Sequence, residues 1–291
     1  MNYRHAYHAG NFGDVLKHAV LALVIEHLKR KPAPFRVIDT HAGIGLYDLS
    51  SDPAEKTGEW RRGIGRIYGP DAEPLPENIA ALLGPYLAAV ASENTAGQLR
   101  RYPGSPRIAR RLIRSQDRLV ANELHPQDGL ALKKLFARDP QTKILQLDGW
   151  IALKALLPPK ERRGVVLIDP PFEKPGELER LSRALRDGTQ RFPTGTYLLW
   201  YPIKDPEPIA ELHRTITALG LPKLLAAELL IRAPRDITRL NGAGLVVLNP
   251  PFRLDETLEV LLPFLAARLG DDPSASCRVT WLVRERQPAP N

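Results

Sequence analysis

Val165-Val166-Leu167-Ile168-Asp169-Pro170-Pro171-Phe172 is a short, wholly apolar run that halts on a carboxylate, two prolines and an aromatic ring. Three of its first four residues are β-branched, which favours a buried strand, and the prolines that follow can neither donate to a ladder nor continue a helix. Runs of the same form recur on both sides: Phe35 to Asp39, Arg118 to Asn122, Thr142 to Leu147, Thr196 to Tyr201, Lys223 to Ile231, Gly244 to Leu248 and Arg278 to Val283. Helix-like stretches separate most of them, the rhythm of βα units around a mainly parallel sheet. The fold class expected is α/β. Counting the first run, eight candidate strands are present, one more than a seven-stranded sheet requires.

Towards the N-terminus, Asp14 is expected to cap a first helix that runs to about Arg30 and ends before Pro32, with Leu16, Val20, Leu23, Ile25 and Leu28 on its apolar face. The first strand turns into Thr40-His41-Ala42-Gly43-Ile44-Gly45, whose small residues let backbone approach a ligand, although an ordinary tight turn reads as well. Between that strand and Arg118 lie roughly eighty residues, more than one crossover needs. We therefore expect a helical insertion over residues 49–100, with a break at Gly84-Pro85, inside one domain made of residues 1–48 and 101–291. The last residues, Arg284 to Asn291, read as frayed.

The 291 residues are 43% hydrophobic and 25% charged, enough to bury a full core. A single cysteine, Cys277, excludes an intramolecular disulfide and a multi-cysteine zinc site. His5, His8 and His18 stand close together but lack metal-binding spacing, so no metal is expected. The apolar stretch Val20 to Ile25 is too short to span a membrane, and a cytoplasmic location is expected. A net charge of +8 favours a polyanionic partner.

Chemistry is expected at the strand ends. Glu123, in Asn122-Glu123-Leu124-His125-Pro126, could accept from both hydroxyls of a ribose, and Asp148, in Leu147-Asp148-Gly149, from an adenine amino group. Asp169 and the Pro170 carbonyl could hold the two hydrogens of an exocyclic amine, whose lone pair is otherwise delocalised, while Phe172 stacks on the base. A second signature, Asn249-Pro250-Pro251-Phe252, cannot share one cofactor with the first. Asp169 is preferred because it follows Gly43, Glu123 and Asp148 in the order of one continuous sheet.

These residues resemble the class I methyltransferases that act on adenine N6, and more closely the RlmJ family of bacterial 23S ribosomal RNA methyltransferases. The likeness rests on Tyr3-Arg4-His5, His8-Ala9-Gly10-Asn11, Asp14-Val15-Leu16-Lys17-His18, Asp39-Thr40-His41-Ala42-Gly43, Tyr102-Pro103-Gly104-Ser105-Pro106, Glu123-Leu124-His125-Pro126, Asp148-Gly149 and Leu167-Ile168-Asp169-Pro170-Pro171. The resemblance implies a Rossmann-like class I fold and transfer of a methyl group from S-adenosylmethionine, leaving S-adenosylhomocysteine. It implies cofactor contacts at His18, His41, Ser105, Glu123, Asp148, Gly149 and Asp169, with Asp169 also the catalytic acceptor. Gly43 joins them through the glycine turn, and Tyr3, His5 and Lys17 are implied near the target nucleotide. Phe172 departs from the tyrosine of closer relatives, which leaves stacking but removes a phenol hydroxyl. The implied partner is 23S RNA, protein-free or in an early precursor particle, and a monomer is expected.

Three other readings stay open from the sequence: methylation of DNA adenine, methylation of protein glutamine, and nucleotide binding without turnover. Ser105 could also cap a helix from Pro106 to Arg114. Arg100, Arg101, Arg107, Arg110, Arg111 and Arg114 form a candidate phosphate strip, with the last four on one helix face.

Overall fold

The structure is a computed structural model that describes residues 4–95 and 97–285. In chain order the elements are α1 (Phe12–Lys29), β1 (Arg36–Asp39), β2 (Leu46–Asp48), α2 (Asp52–Thr57), α3 (Glu59–Arg62), α4 (Glu77–Ala91), β3 (Arg101–Pro103) and α5 (Ser105–Leu112). Then follow β4 (Arg118–Asn122), α6 (Pro126–Leu135), β5 (Thr142–Leu145), α7 (Gly149–Leu156), β6 (Gly164–Ile168) and α8 (Glu177–Arg191). The chain continues with β7 (Thr196–Ile203), α9 (Pro206–Ala218), β8 (Leu224–Leu230), β9 (Gly242–Leu248), α10 (Leu254–Leu269) and β10 (Ser276–Val283).

One sheet orders its strands β10-β8-β9-β7-β6-β1-β4-β5. From β5 to β7 all neighbours are parallel. From β7 to β10 all are antiparallel. The protein thus has a Rossmann-like α/β fold, but with eight strands in a mixed sheet rather than seven. The chain leaves β1 towards β4 and β5 on one side and returns to β6 and β7 on the other. Strand order therefore reverses between β1 and β6, and a crevice opens at their carboxyl ends, where ligands bind in open α/β sheets.

β6 is buried along its whole length, as its apolar run requires. α1 contributes Val15, Leu16, Val20, Leu21, Val24 and Ile25 to the larger core, and each is completely or almost completely excluded from solvent. Its cap is Asn11, whose side chain accepts from the Asp14 N–H, and not Asp14 as expected; Asp14 is instead buried inside the first turn. α4 runs unbroken through Pro85. That helix adds Ile79, Leu83, Tyr86, Ala89 and Val90 to the core that contains α1, so part of the sequence between residues 49 and 100 packs directly on the main domain. The frayed end expected over Arg284 to Asn291 falls outside the described residues from 286 onward.

Candidate active site

A cavity of about 310 Å³, within the range of small-molecule sites, opens at the reversal between β1 and β6. Its wall includes His5, Lys17, His18, His41, Gly43, Ser105, Glu123, Asp148, Gly149, Asp169 and Pro170, so residues from α1 and from four strand ends converge on one space. Tyr3 lies outside the described residues.

α1 enters the crevice with a buried charge relay. Lys17 Nζ lies 2.9 Å from Asp14 Oδ1 and 2.5 Å from Asp169 Oδ2, and His5 Nε2 is 2.9 Å from Asp14 Oδ2. Burial alone would lift the Asp14 carboxyl, but the attraction of His5 and Lys17 holds it well below the usual carboxylate range. Burial likewise opposes the charge on Lys17, yet Asp14 and Asp169 outweigh it and hold the ammonium above the ordinary lysine value. The spacing Asp14, Lys17, His18 puts all three on neighbouring turns of one helix, a signal the capping interpretation of Asp14 obscured.

His18 Nδ1 is 2.7 Å from the Tyr102 hydroxyl, whereas its buried Nε2 has no hydrogen-bond partner among the described residues and the ring lines the cavity. Burial pushes its pKa down to about 3 and that of His41 to about 4, so both rings are neutral at pH 7. His41 is held between the Thr40 hydroxyl, 2.9 Å from Nδ1, and the edge of Trp150.

Glu123 takes one N–H on each oxygen: Gly43 N donates to Oε2 and His125 N to Oε1, both at 2.8 Å. Burial raises this carboxyl and those two donors oppose the rise. Each oxygen keeps a lone pair, so a vicinal diol is a suitable partner. Gly43 adopts φ +61°, which brings its N–H to the carboxylate. Asp148 caps α7 by accepting from Trp150 N and Ile151 N through Oδ1. At Gly149 a Cβ would fall 2.3 Å from His41 Nε2, so a side chain there would collide with the ring. The Ser105 hydroxyl does not cap α5 but donates to Asp39 Oδ2 at 2.6 Å. Asp39, at the end of β1, is pushed up to about 6 by burial despite that donor.

Phe172 is half-buried beside Asp169, but its ring meets Trp200 edge-on, with centroids 5.8 Å apart, and is not part of the cavity wall. The second signature is at the other end of the sheet. β9 runs antiparallel to β7 with Leu248 opposite Tyr197, so Asn249 falls beside the beginning of β7, and its amide donates to the Pro193 and Gly195 carbonyls at 2.8 Å. Four of the six arginines in the strip are already paired, whereas Arg100 reaches Asp48 only at 3.9 Å and Arg101 forms no ion pair among the described residues. Arg107 and Arg111 each approach Glu93 to 2.8 Å, Arg114 pairs with Asp117 at 2.9 Å, and Arg110 pairs with Asp139. Among the described residues no group of three metal-ligating side chains occurs, and no helix is long and apolar enough to cross a membrane.

The neutral histidines set a pH dependence of stability. Their folded pKa values lie below the unfolded value of about 6.5, so only the unfolded chain takes up their protons as pH falls, and stability drops from pH 6.5 downward. Asp39 acts oppositely between about 4 and 6, because the folded state then binds the proton. At about 1.4 kcal/mol per unit per group, two histidines against one carboxyl give a net loss of about 3 kcal/mol from pH 6.5 to 4.5. Urea midpoints are expected to fall over that interval and to fall less in His18→Gln. A flat profile would contradict the burial of these rings.

The family described as "Ribosomal RNA large subunit methyltransferase D, RlmJ" matches residues 32–283. "Ribosomal RNA large subunit methyltransferase J" of Escherichia coli strain K12 is 42% identical over 285 residues, covering 98% of this chain and all of the relative. The protein of that description from Haemophilus influenzae Rd is 42% identical over 286 residues, again covering 98% of this chain and all of the relative. The crystal structure of a Legionella pneumophila protein, LPL1258, superposes with a TM-score of 0.85 at 32% identity, covering 94% of this chain and 98% of the other. The chain belongs to the RlmJ family of ribosomal RNA large subunit methyltransferases.

Proposed function

We propose that this protein transfers a methyl group from S-adenosylmethionine to the exocyclic N6 of an adenine in 23S ribosomal RNA. The observation that carries the reading is the position of Asp169: it ends β6 at the strand-order reversal, hydrogen-bonded to Lys17, in one cavity with Glu123, Asp148 and the unsatisfied Nε2 of His18. The residues present fit the cofactor. Glu123 suits the ribose hydroxyls, Asp148 and Gly149 the adenine edge, and His41 and Gly43 the space between them. His18 brings a buried polar atom that needs a partner, and Ser105 works through Asp39 beneath the pocket floor.

S-adenosylmethionine, when bound, supplies an electrophilic methyl group on a sulfonium. The protein's own part is positioning. Asp169 accepts one hydrogen of the adenine amine and the Pro170 carbonyl the other, which turns the nitrogen lone pair towards the methyl group. Proline fixes its own φ, so that carbonyl is held in a preset direction. Lys17 holds the carboxylate in place, and His5 ties the N-terminal segment to Asp14. Tyr3 and His5 belong with the target nucleotide in this reading. Phe172 stacks on the base only after its ring leaves the edge of Trp200; otherwise it supports the loop from below. We treat residues 49–100 as an insertion in a domain of residues 1–48 and 101–291, acting as a cytoplasmic monomer on protein-free RNA or an early precursor particle.

Incubation with labelled S-adenosylmethionine and protein-free 23S RNA, followed by nucleoside analysis, is the test. Label in N6-methyladenosine is the expected result. Label in DNA or protein instead would overturn the substrate, and no transfer to any acceptor would overturn the activity.

A further inference from the structure

Beside the catalytic cavity runs a second groove of about 400 Å³, formed where α7 faces α8. Asp148, Trp150 and Arg180 line both spaces, so the groove adjoins the site directly. Its basic side chains differ from the arginines of α5 and from Arg114 just beyond that helix. Arg180 and Arg183 form no ion pair among the described residues, whereas Arg107, Arg110, Arg111 and Arg114 are each matched with a carboxylate. Ile151, at 61% exposure, is the most exposed large hydrophobic on this side of the cavity and lies in the groove beside the half-buried Trp150. An apolar floor next to guanidinium groups that hold no ion pair, Arg183 donating only to the Glu179 carbonyl at 3.4 Å, has the composition of a track for single-stranded nucleic acid, in which bases rest on apolar or aromatic surface and phosphates meet arginine.

We propose that this groove holds the ribose-phosphate chain adjoining the target adenosine, with phosphates on Arg180 and Arg183 and a neighbouring base over Ile151 and Trp150. The proposal rests on the reading of the protein as an RNA methyltransferase. It assigns the electrostatic contact to the α7–α8 side, and not to the α5 face that helical spacing singles out. Lys154 is at the far end of the groove, 3.1 Å from Asp187, and extends the basic edge only when that pair opens.

The test is the salt dependence of methylation measured with protein-free 23S RNA under conditions where KM reports binding. Each phosphate contact to a single strand contributes a slope of about 0.7 in log affinity against log salt, a factor of about five at 0.1 M. Arg183→Ala is expected to raise KM about fivefold and flatten the slope by about 0.7; Arg180→Ala/Arg183→Ala should raise KM roughly 25-fold and flatten it by about 1.4. Arg239→Ala, which removes another exposed arginine on the β8–β9 loop, is expected to change neither value. Unchanged KM and slope in both groove variants, with the wild type active on RNA, would overturn this surface and leave the methyltransferase reading standing. A wild type that transfers no methyl group to RNA would overturn that reading and this surface with it.

Discussion

Asp169→Ala is expected to lower methyl transfer by at least about a thousandfold while barely moving the unfolding midpoint. The loss follows from the proposed reaction, in which this carboxylate orients the acceptor amine, and orientation is most of what an enzyme can offer a nucleophile whose lone pair is delocalised. The small stability effect follows from partial exposure of Asp169 and from Asp14, which keeps the Lys17 charge paired at 2.9 Å after Asp169 is removed. Asn249→Ala should give the opposite signature. Asn249 has φ +50° and donates to two carbonyls, so alanine there loses both bonds and strains the backbone, at a cost of about 2 kcal/mol or more, without approaching the cavity. Turnover and chemical-denaturation curves on the two variants decide the matter. An inactive Asn249→Ala beside an active Asp169→Ala would move the reacting centre to the other end of the sheet.

The two signatures show how far local sequence reaches. Both consist of an apolar run followed by Asp or Asn, two prolines and phenylalanine, and nothing within either separates them. Chain order does: the first follows a parallel series, and the second ends β9, which points the other way. All eight strands of the sheet were legible as runs rich in apolar residues; the six inner ones are largely buried, which leaves few polar positions to blur them, whereas the edge strands β5 and β10 are only partly covered and carry polar residues among the apolar ones. β2 and β3 were not legible, since three residues carry no periodicity. Arg107, Arg110 and Arg111 share a face of α5 as their spacing requires, but the helix ends at Leu112 and Arg114 lies beyond it; the carboxylate partners Glu93 and Asp139 come from other parts of the chain, so that pairing appears only in three dimensions. Phe172 was read from its place in a motif, but its ring packs on Trp200, a contact between the loop after β6 and the interior of β7 that no spacing rule supplies.

Lys17→Met should cost about 3–5 kcal/mol of stability, roughly 10 °C in unfolding midpoint, and most of the activity. Lys17 is 5% exposed at its side chain and Asp14 1%, so removing the ammonium leaves a buried carboxylate whose remaining side-chain and turn contacts among the described residues are His5, the Gly10 N–H and, at 3.9 Å, the neutral His18 ring. A companion change separates charge balance from orientation. Asp14→Asn added to Lys17→Met removes the stranded charge and is expected to restore most of the lost stability, since exchanging both members of a buried pair is far less costly than exchanging one. Activity should not return with it, because Asp169 then lacks the donor that fixes its rotamer 2.5 Å away. If turnover recovers in step with the unfolding midpoint, Lys17 serves only to neutralise Asp14, and Asp169 orients the amine unaided. If stability recovers alone, the relay from Asp14 through Lys17 to Asp169 is part of how the site holds its acceptor, and α1 is a working element of the active site.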